Sequence, residues 1–392
     1  MLPLEANQRT YRQIELNLVK NREQDHTALL DSASAQFQYE DCKDSYWNPE
    51  DLSLLYGTPL WDQASPHQRV ILNQLYWVAY YAQIISAEIA TIFFNQTSAA
   101  GLYSLPDFRT VCDMLDLESA QERAHIAAFQ KVSDAVEEKL FNGRVFTYPM
   151  RGPYVETMVY GDTTAAKNYF KGIMLRAFGA LSSSSPFLGC QYFTVRGLRT
   201  LNGKQIQHRL SQYYLRHPDK ENAPIPSKIS FYHFMDESFH FNSSRLISHE
   251  VINSVPNPSA FERWVLNEGL WGCQKDHFNF STTINGIFWF DPALFTPVLK
   301  VLMSPIFGMD RKEALDMMDK CFCVENQGGV SSADSHSKAM QSYRVFLESL
   351  TPVSRANKEM RLMRKNNLQR HLQVNRKHFR HFSKQVLHAK AV

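Results

Sequence analysis

The sequence predicts a mainly α protein built as a helical bundle, and three segments predict it. Residues 67–94, HQRVILNQLYWVAYYAQIISAEIATIFF, are apolar over most of the helical circumference, which marks a helix buried on all sides. Residues 117–141, LESAQERAHIAAFQKVSDAVEEKLF, form a second long helical run. Residues 229–241, ISFYHFMDESFHF, place His233, Glu237 and His240 on one narrow stripe, since each residue turns a helix by about 100°.

The elements follow in order. Residues 1–45 are polar and mixed in charge, and are expected to form an irregular arm with one helix. Residues 46–66 set aromatics between turn residues, as a loop laid on a core does. Ser65-Pro66-His67-Gln68 joins a serine N-cap, a proline at the first helical position and a glutamine at the capping-box position, so the buried helix starts there. NGRVFTYPMRGPYVE, residues 142–156, ends the second helix, and helical character resumes over 164–182. Residues 186–217 read as a helix interrupted near Gly203. Pro218, Pro224 and Pro226 form the next turn, and Ser227 is expected to cap the helix that carries His233. Residues 280–303 fit a strand or a helix by period alone. Residues 324–338, VENQGGVSSADSHSK, are expected to be a Gly/Ser-rich loop. The expected division is a catalytic body over 1–345, N-terminal arm included, and a basic helical tail over 346–392.

At 392 residues, with 44% hydrophobic and 21% charged residues, the chain has ordinary globular composition and length for a large core. Its net charge of +3 conceals an asymmetry. From Arg355 onward eleven Lys and Arg face one acid, Glu359, so residues 1–354 carry a formal −7. The basic tail admits nucleic acid, but a basic helix on an acidic body explains the composition equally well, and nucleic-acid binding is disfavoured. Six scattered cysteines give neither a disulfide framework nor the spaced pairs of a structural zinc site. With no apolar leader and no run of about 18 apolar residues, the expectation is a cytoplasmic protein that crosses no membrane.

The chemistry lies in a repeated spacing. Glu122-x-x-His125 and Glu237-x-x-His240 each set a carboxylate beside an imidazole on a helix, and Glu88 lies alone in the most apolar helix. One such pair is common by chance. Two pairs with a lone glutamate on a preceding helix form the pattern of a dimetal centre inside a four-helix bundle. The ordinary alternatives are Glu88 paired with Arg69 or Arg196, and histidines hydrogen-bonded in a core; both leave the shared spacing unexplained. Phe93, Phe94, Phe129, Phe234 and Phe239 are candidate walls for the site.

Glu88, Glu122-x-x-His125 and His233-x-x-x-Asp236-Glu237-x-x-His240 resemble the ligand set of ferritin-like diiron N-oxygenases typified by p-aminobenzoate N-oxygenase. In that family an extra histidine precedes the last motif by one turn, and His233 matches it. NQLYWVAYYAQIISAEIATIF and LESAQERAHIAAF are more similar to the cyanobacterial dimetal-carboxylate halogenases of the cylindrocyclophane type. The resemblance covers about residues 46–250. It implies a ferritin-like bundle with additional helical segments and loops, and Glu88, Glu122, His125, His233, Glu237 and His240 as metal ligands. Two iron ions are implied, with manganese or a mixed pair as the alternative, and O2 as oxidant.

The N-oxygenases supply one more glutamate from the third helix, yet no Asp or Glu occurs between Asp162 and Asp219 here. Gly203, Gln205, Gln207 and His208 occupy the corresponding region. Water, His208, Gln205 or a halide ion could take the open position, or Glu156 could reach in from a loop. The favoured expectation is a halogenase of unactivated aliphatic carbon in secondary metabolism, acting on a hydrophobic or acyl substrate. An acidic acyl carrier protein would dock on the basic tail. The alternative is a diiron N-oxygenase or hydroxylase, and the electron donor is not legible.

Overall fold

The buried helix expected from residue 67 is the axis of the molecule. In a computed structural model, residues 4, 7–146, 165–284, 294–324, 327–365 and 367–388 are described. Their helices are α1 (Gln8–Glu23), α2 (Thr27–Gln36), α3 (Pro59–Gln63), α4 (Pro66–Leu102), α5 (Arg109–Phe141), α6 (Ala165–Ser184) and α7 (Pro186–Leu215). The series continues with α8 (Ile225–His249), α9 (Ala260–Ile284), α10 (Phe295–Met303), α11 (Arg311–Asp319), α12 (Gln327–Glu348), α13 (Arg355–Lys358) and α14 (Leu368–His388). No strand occurs among the described residues, and the fold is mainly α.

The Ser65 side chain accepts from the Gln68 amide and the Gln68 side chain accepts from the Ser65 amide, so the capping box read in the sequence opens α4. Asn142, in the left-handed region at φ 52°, ends α5; asparagine bears that conformation better than most residues. Short connections at 103–108 and 216–224 pair α4 with α5 and α7 with α8, while the route between the pairs passes through α6. Two hairpins joined by a long crossover are consistent with a ferritin-like bundle. Trp77 Nε1 donates to the Pro226 carbonyl (3.1 Å) and lies 3.0 Å from Ser230 Oγ, which fixes α4 against α8. α4 is long and apolar enough to cross a bilayer, but the other helices cover most of it. Gly101 of α4 lies against the Ser182 carbonyl of α6, where any side chain would collide.

Four expectations are corrected. The arm holds two helices, α1 and α2, because buried Asn17 and Asn21 find partners 226 and 100 residues away. α7 runs unbroken through Gly203: packing on α4, α8 and α9 outweighs the roughly 1 kcal/mol a helical glycine costs. α8 starts at Ile225, so Ser227 lies inside its first turn and donates to the Trp47 carbonyl at 2.6 Å instead of capping. The Gly/Ser-rich segment is helical from Gln327, with its glycines in the first turn. His336, Ala339, Tyr343 and Leu347 are buried at helical spacing, a stripe that dictates α12. Of the strand-or-helix segment, residues up to Ile284 belong to α9 and 295–303 to α10; residues 285–293 lie outside the described residues, as do 147–156 of the expected break.

One core surrounds the first half of α4 with α10, α11 and α14, where Phe379 and Phe382 pack on Phe295. The other surrounds its second half with α1, α7, α9 and α12. The acids and histidines lie between them.

Candidate metal centre

Three helices place the six residues. α4 supplies Glu88, α5 supplies Glu122 and His125, and α8 supplies His233, Glu237 and His240, all buried. Glu88, His125, His233 and Glu237 form one group, and Glu122, Glu237 and His240 a second; in each, the ligand atoms lie within 4.8 Å of one another. Glu88 Oε1 is 3.7 Å from His125 Nδ1 and 3.2 Å from His233 Nε2. His240 Nδ1 is 3.2 Å from Glu122 Oε1 and 2.9 Å from Glu237 Oε1. Glu237 is common to both groups. The arginines that could have paired with Glu88 are engaged elsewhere: Arg69 with the Trp61 and Asp62 carbonyls, Arg196 with Glu118.

The donor set fits metal ions. Both Glu88 oxygens, Glu122 Oε2, His125 Nδ1 and both His233 nitrogens are buried without a hydrogen-bond partner. Leaving such groups unsatisfied costs about 1–3 kcal/mol each, more when charged. Carboxylates and imidazoles converging at 3–4 Å would be satisfied together by cations between them. Protonation reports the same pressure. Burial pushes the Glu88 carboxyl up, with His125 and His233 pulling the other way. Burial lowers the His240 imidazole, but Glu237 and Glu122 outweigh it and hold it up at about 10. His125 rises well above its ordinary value as Asp236, Glu122 and Glu88 overcome its burial. Metal binding here would displace these protons.

A second layer aims the rings. His125 Nε2–H donates to Asp236 Oδ2 (3.2 Å), and Asp236 is held by the His26 amide and ring. His240 Nε2–H donates to Gln121 Oε1 (2.8 Å), and Gln121 exchanges two hydrogen bonds with Asn21. In both cases the partner takes Nε2 and leaves Nδ1 for the centre. Arg196 joins Glu118, Asn95 and the His240 carbonyl, so a buried ion pair ties α7 to α5 and the same guanidinium bonds α8.

A cavity of about 810 Å³ opens from this centre. Glu88, Glu122, His233, Glu237 and His240 form part of its wall; Phe94, Phe178, Tyr192 and Phe241 line it, and exposed Phe170, Met174, Phe261 and Trp264 mark its outer rim. Of the five expected wall phenylalanines only Phe94 lines it. Phe129 instead buttresses His233, with ring centroids 5.0 Å apart, and Phe234 packs on His208.

The carboxylate gap resolves by helix rotation. Gly203, Lys204 and Gln207 of α7 line the cavity, whereas Gln205 and His208 are exposed. Gln205 and His208 therefore cannot stand in for a ligand: they project from the opposite side of α7. Glu156 lies outside the described residues. Burial lowers the Lys204 ammonium to about 8 against the upward pull of Glu237, and its Nζ donates to the Glu237 carbonyl.

Sequence reasoning missed Lys204, Gln121, Glu118 and Arg196 as parts of the centre. Gln121 had a signal: it precedes Glu122 as Asp236 precedes Glu237, and each backs the histidine of the other motif. Cys321 and Cys323 are buried free thiols.

A family model described as acyl halogenase CylC-like matches residues 9–383. No curated protein and no solved structure matches the chain.

Proposed function

This chain belongs to the CylC-like acyl halogenase family, and we propose that it is an O2-dependent dimetal halogenase acting on an unactivated carbon of an acyl chain. The observation that carries the reading is a largely apolar cavity of about 810 Å³ with one wall made of five carboxylate and imidazole side chains. That volume falls within the range of about 300–1,000 Å³ typical of ligand pockets.

Glu88, His125 and His233 would hold one ion, Glu122 and His240 the other, and Glu237 would bridge. Bound redox-active ions would supply oxygen activation and hydrogen abstraction, for which iron is the first candidate. The chain's own part is positional. Phe94, Phe178 and Phe241 keep water from the centre and align an alkyl chain along it, which limits side reactions. Asp236 and Gln121 hold the two imidazoles in the tautomer that presents Nδ1.

The test is anaerobic reconstitution with ferrous iron, then exposure to oxygen with chloride and fatty-acyl substrates, free and tethered to a carrier. Product carrying chlorine, resolved by its isotope pattern, is expected. Products that gain only oxygen would replace the reading with a hydroxylase, and an amine substrate oxidised at nitrogen would replace it with an N-oxygenase.

Arg376, Lys377, Arg380 and Lys384 form an exposed basic face on α14, and Arg364 and Lys365 are exposed just before it. An acidic acyl carrier protein would fit this face. Reversing these charges should weaken carrier binding, with a loss that shrinks as salt rises, because exposed charges are screened over about 8–10 Å. Unchanged carrier affinity at low salt would remove this role.

A further inference from the structure

The halogenase reading requires a place for the halide, and assigning that place rests on the reading itself. α7 contributes no acid to the cavity, since none occurs between Asp162 and Asp219. It presents Lys204 and Gln207 there instead, three residues apart and so on one helical face. No carboxylate among the described residues lies within ion-pair distance of Lys204, and the buried Gln207 Oε1 has no hydrogen-bond partner.

Charge balance points the same way. Two divalent ions would bring four positive charges, matched by Glu88, Glu122, Glu237 and Asp236. Arg196 and Glu118 neutralise each other at 2.8 Å. Arg199 also lines the cavity and acts electrostatically on His277 and Tyr343 on its far side, while Glu268 and Lys275 at the rim are solvated. Lys204, whose Nζ meets the Glu237 carbonyl, is the cation at the centre with no carboxylate partner among the described residues, and a monoanion beside it would offset its charge.

We propose that Lys204 and Gln207 form the halide subsite, holding chloride or bromide against the Glu122, Glu237 and His240 group. Lys204 Nζ spends one N–H on the Glu237 carbonyl and has two others to give; the Gln207 amide, turned about its last torsion, offers a further N–H. The group with three protein residues is the one with room for an added anion.

The probe is bromide, titrated into cobalt(II)-loaded protein and followed by visible absorption, with metal content measured in every sample. Wild type should bind close to two cobalt ions and respond to bromide saturably. Lys204→Met should keep the metal and weaken bromide roughly ten- to hundredfold, the range for losing a hydrogen bond to a charged group. Lys204→Arg should restore most of the affinity. Gln207→Glu, which puts a carboxylate in the subsite, should abolish the response; if Lys204→Met does not fold, this variant decides, and retained bromide binding overturns the proposal. Wild-type bromide affinity in a folded Lys204→Met overturns it while leaving the halogenase reading standing. A Lys204→Met variant that loses affinity for dodecanoate and not for bromide also overturns it, since Lys204 then serves the substrate's carboxylate. Metal-loaded wild type indifferent to bromide ends both.

Discussion

The two carboxylate–imidazole groups share Glu237 and the same donor chemistry, yet their surroundings differ. The Glu88 group is closed: His233 joins His125, and the carboxylate of Asp236 backs His125 at 3.2 Å. The Glu122 group is open: His240 is its one imidazole, its backing partner is the neutral amide of Gln121, and Lys204 and Gln207 of α7 line the cavity it shares with the other group. A carboxylate behind an imidazole makes it a stronger donor than an amide does, while a nearby ammonium favours added anions. The same pair of helix motifs can thus build one position suited to retaining an ion and another suited to exchanging its remaining ligands. The difference comes from residues one position before each glutamate and from the face that α7 presents.

The largest expected effect separates shared from private ligands. Glu237→Ala should remove both ions, and activity with them, whereas Glu88→Ala should leave about one ion per chain, in the open group. Metal analysis of purified variants checks this, and equal metal loss in the two would show a single cooperative centre instead of two distinguishable positions.

Exchanging the backing residues sharpens the contrast at smaller size. Asp236→Asn should lower metal affinity in the closed group by roughly 10–100-fold, while Gln121→Glu should raise affinity in the open group, since outer partners carry effects of that order. Competition with a chelator measures both. Matching changes in sign and size would mean that carboxylate and amide are equivalent here.

The smallest effect uses a remote pair as reference. His277 and His336 meet at Nδ1–Nδ1 2.9 Å, and His336 Nε2–H donates to the Met363 carbonyl, so His277 Nδ1–H donates and His336 accepts as a neutral ring. Burial, with each ring's neighbours, lowers His277 well below its ordinary value, and burial lowers His336, the reverse of His125 and His240 beside carboxylates. A histidine whose folded pKa is depressed contributes stability present above the unfolded value of about 6.5 and lost as pH falls below it. Unfolding midpoints of metal-free protein should therefore fall between about pH 7 and pH 5, and His277→Phe should flatten that slope. A slope unchanged in the variant would assign it elsewhere.

How much of this was legible depends on the range of the interactions. The six convergent residues could be read because i, i+3 and i+4 spacing is local, and α4 could be read because its cap and its apolar surface are local too. The arm could not, since Asn17 and Asn21 become helical by bonding to Ser243 and Gln121. Lys204 was hidden among polar neighbours: which of Gly203, Lys204, Gln205, Gln207 and His208 faces the centre depends on how α7 is rotated against α8. α7 mixes apolar and polar residues on every side, so its pattern sets no rotation. α12 was misread because two glycines drew attention from the buried stripe behind them.

The bond from Asn17 Nδ2 to Ser243 Oγ joins residues 226 apart, and His26 reaches Asp236 across 210. The arm is therefore among the last segments to find its place, because such contacts reward the chain only after long loops have closed. Until then α5 and α8 can assemble with Gln121 and Asp236 unbraced, and an early form could bind metal loosely. Pulse-labelling hydrogen exchange during refolding should find amides of α1 protected after those of α4 and α5; simultaneous protection would mean that the arm folds with the bundle it braces.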